Sequence, residues 1–186
     1  MINNFKTFNN DVIIPIDIEY PIDLGKNVEE HMVLQYLNSP QIRGLSWEYD
    51  NRVYYIKDEK ASVQGFPSID LLHIVVIYNG TGSKYPPPNN AVIYNLDATV
   101  HKELQMPELI SEHIVNRLTF DKADNPPLPA AKFEGGLYFA GFGWRKDQAG
   151  ELVNSISIIY DQEWYEVRLL DSNTGQIGKC LISGMI

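Results

Sequence analysis

Leu71-Leu72-His73-Ile74-Val75-Val76-Ile77-Tyr78 is the longest apolar run in this chain of 186 residues. It is far too short to cross a bilayer as a helix, which takes roughly 20 apolar residues. A run of this length without polar alternation reads as a buried, central strand. Downstream, Asn79 to Asn90 (NGTGSKYPPPNN) is a loop by composition. Ala91 to Leu104 (AVIYNLDATVHKEL) follows as two short arms meeting at Asn95-Leu96-Asp97-Ala98-Thr99, with Ala98 where glycine is more usual. Upstream, Leu45 to Ile56 (LSWEYDNRVYYI) is a second hairpin, turning at Asp50-Asn51.

The same signals extend to both ends. In Asp11 to Tyr20 (DVIIPIDIEY), Ile14, Ile16 and Ile18 alternate with Pro15, Asp17 and Glu19. Pro15 cannot donate to a ladder, so an edge strand is expected there. From Phe133 onward an antiparallel meander is expected, with strands at Leu137 to Trp144, Val153 to Tyr160, Trp164 to Leu170 and Gln176 to Ser183. Two helices are expected. One is Val28 to Leu37, capped by Asn27 with Glu29 and Glu30 in its first turn. The other is Pro107 to Leu118, with Leu109, Ile110, Ile114 and Leu118 near one face. Asp121 to Pro129 reads as a proline-rich loop. The expectation is therefore a mostly β fold (β-rich α+β), an antiparallel sheet meander with one or two short helices, in a single domain over residues 1–186. Two hairpins have the look of propeller blades, although the chain is short for a closed propeller.

Composition narrows the function. The chain is 44% hydrophobic and 21% charged, as an ordinary globular protein is. Its N-terminus, Met1-Ile2-Asn3-Asn4-Phe5-Lys6, lacks the plan of a secretory signal. The one cysteine, Cys180, allows no internal disulfide. Both features suit a reducing, cytoplasmic location. Cys180 stands in an apolar terminal strand and is expected to be buried and unreactive. The net charge of −9 argues against nucleic acid and against anionic membranes, and it permits a basic partner. The acid is uneven: residues 1–40 carry six acids against two bases, and residues 147–171 carry six against one.

No motif carries chemistry. The histidines His31, His73, His101 and His113 lie too far apart in sequence for a local metal pair, so no metal is expected. There is no Gly-x-Ser-x-Gly elbow. Gly141-Phe142-Gly143 and Gly80-Thr81-Gly82 do not continue into a phosphate loop, and the first reads better as a strand that packs closely or bends. No cofactor is expected, and the chain reads as a non-enzyme. Aromatics gather in two hairpins: Trp47, Tyr49, Tyr54 and Tyr55 in one, Tyr138, Phe139, Phe142 and Trp144 in the other. Core packing explains most of them, and some could line an interface.

The stretch Tyr85 to Leu109 (YPPPNNAVIYNLDATVHKELQMPEL) resembles small bacterial proteins encoded beside Rhs-type and other polymorphic toxins. The likeness lies in a proline-marked Asn-Asn, a short strand, an Asn-x-Asp turn, His-Lys-x-Leu and a Pro-x-Leu-Ile helix, in that order. It implies immunity: binding and blocking a cognate toxin, whose binding face would be basic. Under that reading Asp161, Glu163, Trp164 and Glu166, around the last acidic turn, are the expected partner-binding residues. The other reading is a non-catalytic β-rich ligand-binding or scaffold module.

Overall fold

In a computed structural model, which describes residues 1–18, 28–112, 115–116 and 136–186, the strands form three four-stranded antiparallel sheets. The first contains β1 (Asn3–Phe8), β2 (Ile13–Pro15), β3 (Gly44–Tyr49) and β4 (Arg52–Ile56), in the order β2-β1-β3-β4. The helix α1 (Glu30–Asn38) stands between β2 and β3 in the chain. The second contains β5 (Ser62–Pro67), β6 (His73–Asn79), β7 (Ala91–Asn95) and β8 (Val100–Glu103), in sequence order. The third is the meander β9 (Tyr138–Lys146), β10 (Leu152–Tyr160), β11 (Trp164–Leu170) and β12 (Ile177–Met185).

The apolar run is β6, and it has a core on each face. Successive strand residues point to opposite sides. Ile74, Val76 and Tyr78, with Val92 and Tyr94 of β7, pack into one cluster with Phe5, Leu45, Trp47 and Phe66. Val75 and Ile77, with Ala91 and Ile93, pack into another with Leu104, Phe139, Ile156, Ile158 and Leu170. The second sheet is thus a middle layer, with the first sheet on one side and the third on the other. A strand buried on both faces has no room for polar alternation, which is why β6 reads as a continuous apolar run. Each fully buried Val or Ile contributes about 1.5–3 kcal/mol. This layering rules out the propeller likeness of the hairpins.

Buried polar atoms on the middle sheet are paired with each other or across layers. The Tyr78 and Tyr94 hydroxyls hydrogen-bond at 2.6 Å inside the core. Burial pushes the Tyr78 hydroxyl up to about 12. Asn90 joins the second and third sheets. Its Nδ2 donates to the carbonyls of Tyr78 and Phe139, both at 2.9 Å, and its Oδ1 accepts the Phe139 N–H at 2.8 Å. Its neighbour Asn89 accepts the Met106 N–H at 2.8 Å. The Asn-Asn that carries part of the family resemblance therefore serves here as a structural staple.

The turns match their chemistry. Asp50 and Asn51 have φ of 50° and 57°, the left-handed pair that a two-residue hairpin turn demands. Ala98 takes φ of 61°, so the alanine occupies the backbone position that favours glycine. Pro15 lies on an edge strand as expected, but only Ile13–Pro15 of the expected Asp11 to Tyr20 strand is paired as strand, and residues 19–20 lie outside the described residues. The helix begins at Glu30, with Glu29 as its cap and no side-chain capping bond; Asn27 is outside the described residues. Of the expected second helix, residues 107–111 are non-helical and residues 112, 115 and 116 are helical, while Ile114 and Leu118 lie outside the described residues, as does the loop Asp121 to Pro129.

Two strands were not expected, and each has a local reason. β1 carries a register shift between Asn3 and Lys6, with Asn4 at φ 49°, so the alternation of its buried residues is broken. β5 contains Gly65 and Pro67, which read as loop punctuation. Gly65 is there for space: a Cβ would lie 2.4 Å from the Val75 carbonyl oxygen. Cys180 is half-buried rather than buried, because β12 is an edge strand. Its thiol is pushed up by burial, with the Glu166 charge adding to the shift. Gly141 and Gly143 lie on a strand that bends, with a register shift beside Gly141, but a Cβ at either would meet nothing within 4 Å, so close packing is not their reason.

Truncation on either face of β6 tests the middle layer. Ile74→Ala and Ile77→Ala should each cost about 2–5 kcal/mol in urea unfolding. Val53→Ala, at an exposed position of β4, should change stability by no more than about 0.5 kcal/mol.

Candidate functional site

The expected partner-binding residues lie on one turn and the strand after it. Tyr160 pairs with Trp164 and closes the turn Asp161-Gln162-Glu163. Asp161 and Gln162 take φ of 52° and 60°. The Glu163 N–H donates to the Tyr160 carbonyl at 3.3 Å, and the Asp161 N–H to that of Gly136, also at 3.3 Å. Glu163 is exposed, and Asp161 and Trp164 are half-buried. Trp164 is the register partner of Met185, which is 65% exposed. The tip of the third sheet therefore combines two carboxylates with exposed apolar surface.

Glu166 does not belong to that surface, which corrects the sequence expectation. Its side chain is fully buried and points the same way as Arg168 and Leu170, since strand residues two apart share a face. One carboxylate oxygen accepts the N–H groups of Ile110 and Ser111, at 2.8 and 2.6 Å. The other takes the Arg168 Nη1 donor at 3.0 Å. Arg168 also donates to the carbonyls of Gly178 (2.6 Å) and Glu108 (3.2 Å). The pair clamps residues 108–111 onto the third sheet. Sequence reading missed this because alternation alone does not say which face of β11 is covered.

The acids of residues 147–171 are also divided by the meander. Asp161 and Glu163 lie at one end of β10, while Asp147, Glu151 and Asp171 belong to turns at the other end. Nine residues at ~3.3 Å each put the two ends about 30 Å apart. A charge excess that is continuous in sequence is therefore two separate groups in space. Asp11 and Glu30 of the N-terminal acidic segment are exposed, and Glu19 and Asp23 lie outside the described residues.

The fold assembles one polar cluster that sequence spacing concealed. The rings of His73 and His101 lie 4.5 Å apart, although 28 positions separate them in the chain. His73 opens β6, and His101 lies on β8 two strands away in the same sheet. The Nε2 of His101 hydrogen-bonds the Asn173 carbonyl at 2.7 Å, which ties β8 to the β11–β12 turn. His73 is buried, and among the described residues its Nδ1 has no hydrogen-bond partner. Burial pulls its pKa down, and the neighbouring His101 adds to this, while Asp70 and Asp171 pull the other way. Burial alone would raise Asp70, but bonds from the Ser68 hydroxyl and the Leu72 N–H hold it below the usual carboxylate range. Asp171 is held low by Thr174 and the Asn173 N–H. Among the described residues no group of three or more His, Cys, Asp or Glu side chains is placed to hold a metal ion. The Ser68 hydroxyl is engaged by Asp70 and by the backbone of His73, not by an imidazole nitrogen.

Most of the hairpin aromatics are structural. Trp47 is fully buried and donates to the Leu96 carbonyl at 2.8 Å. Trp144 donates to the Pro67 carbonyl at 2.8 Å and meets Phe66 edge-on at 5.2 Å. Tyr55, 63% exposed, is the exception.

Glu166→Ala should cost about 3–5 kcal/mol in urea unfolding, because it strands a buried arginine. Glu163→Lys, at an exposed position, should cost no more than about 0.5 kcal/mol. His73 sets a pH dependence. His73 titrates below its ordinary value of 6.5 when folded, so as pH falls below that value the unfolded chain takes up a proton that the folded chain resists. Stability is full above pH 6.5, declines as pH falls toward the folded value, and levels off below it. Asp70 and Asp171 add a separate loss as pH falls below their ordinary value of 3.8. His73→Gln should abolish the first decline and leave the second, as read by urea unfolding across this range.

No protein-family model, curated protein or solved structure matches this chain, so its function is argued from the geometry above.

Proposed function

We propose that the chain is a non-catalytic binding protein that neutralises a cognate bacterial toxin by direct contact, through the tip of the third sheet. The observation that carries this reading is the β10–β11 turn: Asp161 and Glu163 beside Trp164 and the exposed Met185. Apolar anchors with a charged rim are the usual anatomy of a protein–protein contact. The two carboxylates favour a basic partner face, and opposite charges speed encounter. The resemblance over Tyr85 to Leu109 supports a toxin as that partner. Its residues form the loop, β7 and β8 of the middle sheet, so they support the tip from a distance rather than make the contact. A cytoplasmic site of action belongs to the same proposal.

The test reverses only the exposed charges, Asp161→Lys with Glu163→Lys, and leaves Glu166 in place. The binding partner used is the product of the neighbouring gene, which this reading expects to be the toxin. The double variant should lose no more than about 1–2 kcal/mol of stability, from the lysine at the left-handed Asp161 position, stay folded, associate with the toxin at least tenfold more slowly at low salt, and protect toxin-expressing cells less well. High salt should narrow the difference between variant and native protein. Unchanged association in both conditions would exclude the tip as the contact.

A further inference from the structure

A second site is built where the three sheets and the helix meet. There a cavity of about 280 Å³ is lined by Leu45 of the first sheet, Val63 and Phe66 of β5, Phe142 of β9, and Tyr36 and Leu37 of α1, with Arg43 among its lining residues. Its walls are mainly apolar, and they come from all three sheets and the helix. Clefts of this kind, with a few convergent polar groups, are where small ligands bind.

Arg43 supplies the polar end. Its Nη2 donates to the carbonyls of Tyr36 and Leu37, at 3.4 and 3.1 Å, so one edge of the guanidinium is anchored on the last turn of α1. The guanidinium carbon stands 4.7 Å from the centre of the Tyr36 ring. Among the described residues, Nε and Nη1 donate to no group and no carboxylate pairs with Arg43. The side chain is thus held in place, and among the described residues Nε and Nη1 keep donors without a partner. These donors point to different sides of the group, so a carboxylate is taken by one charge-assisted hydrogen bond and the unpaired positive charge rather than by a fork. We propose that this cavity binds a small amphipathic carboxylate, with the acid group on Arg43 and a short apolar tail against Ile16, Leu37 and Phe142.

This site shares no residue with the β10–β11 tip, and its test is independent of toxin binding. Hexanoate is the probe and hexan-1-ol the neutral control, each titrated into the full chain and followed by amide NMR shifts. Hexanoate should shift the amides of Val63, Gly65 and Phe142 saturably, and more tightly than hexan-1-ol does. Arg43→Gln should weaken hexanoate at least tenfold while leaving hexan-1-ol within about twofold, because hydrogen bonds to charged groups are roughly twice as strong as neutral ones. Leu37→Trp gives a second reading that does not depend on the Arg43 anchor. Leu37 is 51% exposed and lines the cavity, so a larger side chain there should block both probes without disturbing the core. Absence of saturable shifts at these amides at millimolar hexanoate would overturn the proposal, as would equal affinity for the two probes or hexanoate binding that survives both variants. Asp161→Lys with Glu163→Lys should leave hexanoate binding unchanged, which separates this proposal from the one at the tip.

Discussion

The middle sheet must bury both of its faces, and the rest of the structure follows from that requirement. Ile74 and Val76 on one side of β6, and Val75 and Ile77 on the other, cannot be covered by one neighbouring layer. Two further sheets are needed, and the chain supplies one before the middle sheet and one after it. The β-branched residues that dominate β6 and β7 are stiff and fit a pleated surface, so the local preference and the layered architecture agree.

Layers held only by apolar contacts can slide, and here polar staples set their position. Asn90 makes two hydrogen bonds from the middle sheet to Phe139 of β9 and a third to Tyr78 within the middle sheet. The Trp144 indole reaches the Pro67 carbonyl, and Gln64 donates to the Ala140 carbonyl at 2.6 Å. The Glu166–Arg168 pair does the same for residues 108–111. Removing two charges from water is costly, and this pair offsets the cost only because nearly every oxygen and donor has a partner. Such groups act more on where things sit than on net stability. That makes Glu166 unsuited to partner binding, despite lying three residues from the exposed turn.

Function is left to the margins of this frame. The tip of the third sheet projects Asp161 and Glu163 beside apolar surface, the junction of the sheets encloses the Arg43 cavity, and the opposite end of the molecule gathers the two histidines. A strand order of β12-β11-β10-β9 puts alternate turns at opposite ends, so acids that are neighbours in sequence serve different surfaces.

Local information was enough for much of this. The β6 run, the Asp50-Asn51 turn, the left-handed Ala98 position, the edge role of Pro15 and the four-strand meander are legible in the sequence, because each depends on side-chain period or on backbone preference within a few residues. The candidate site was legible only in part. The acidic turn could be read, since its residues are contiguous. Whether Glu166 faced water could not, because a strand has two faces and the chain that covers one of them, residues 108–111, comes more than fifty positions earlier. The same limit hid β5, whose Gly65 answers to the backbone of β6, and the His73–His101 contact, which exists only because β6, β7 and β8 are side by side. Period and turn chemistry are properties of neighbouring residues. Burial, pairing and enclosure belong to residues brought together by folding, and only the tertiary structure decided them.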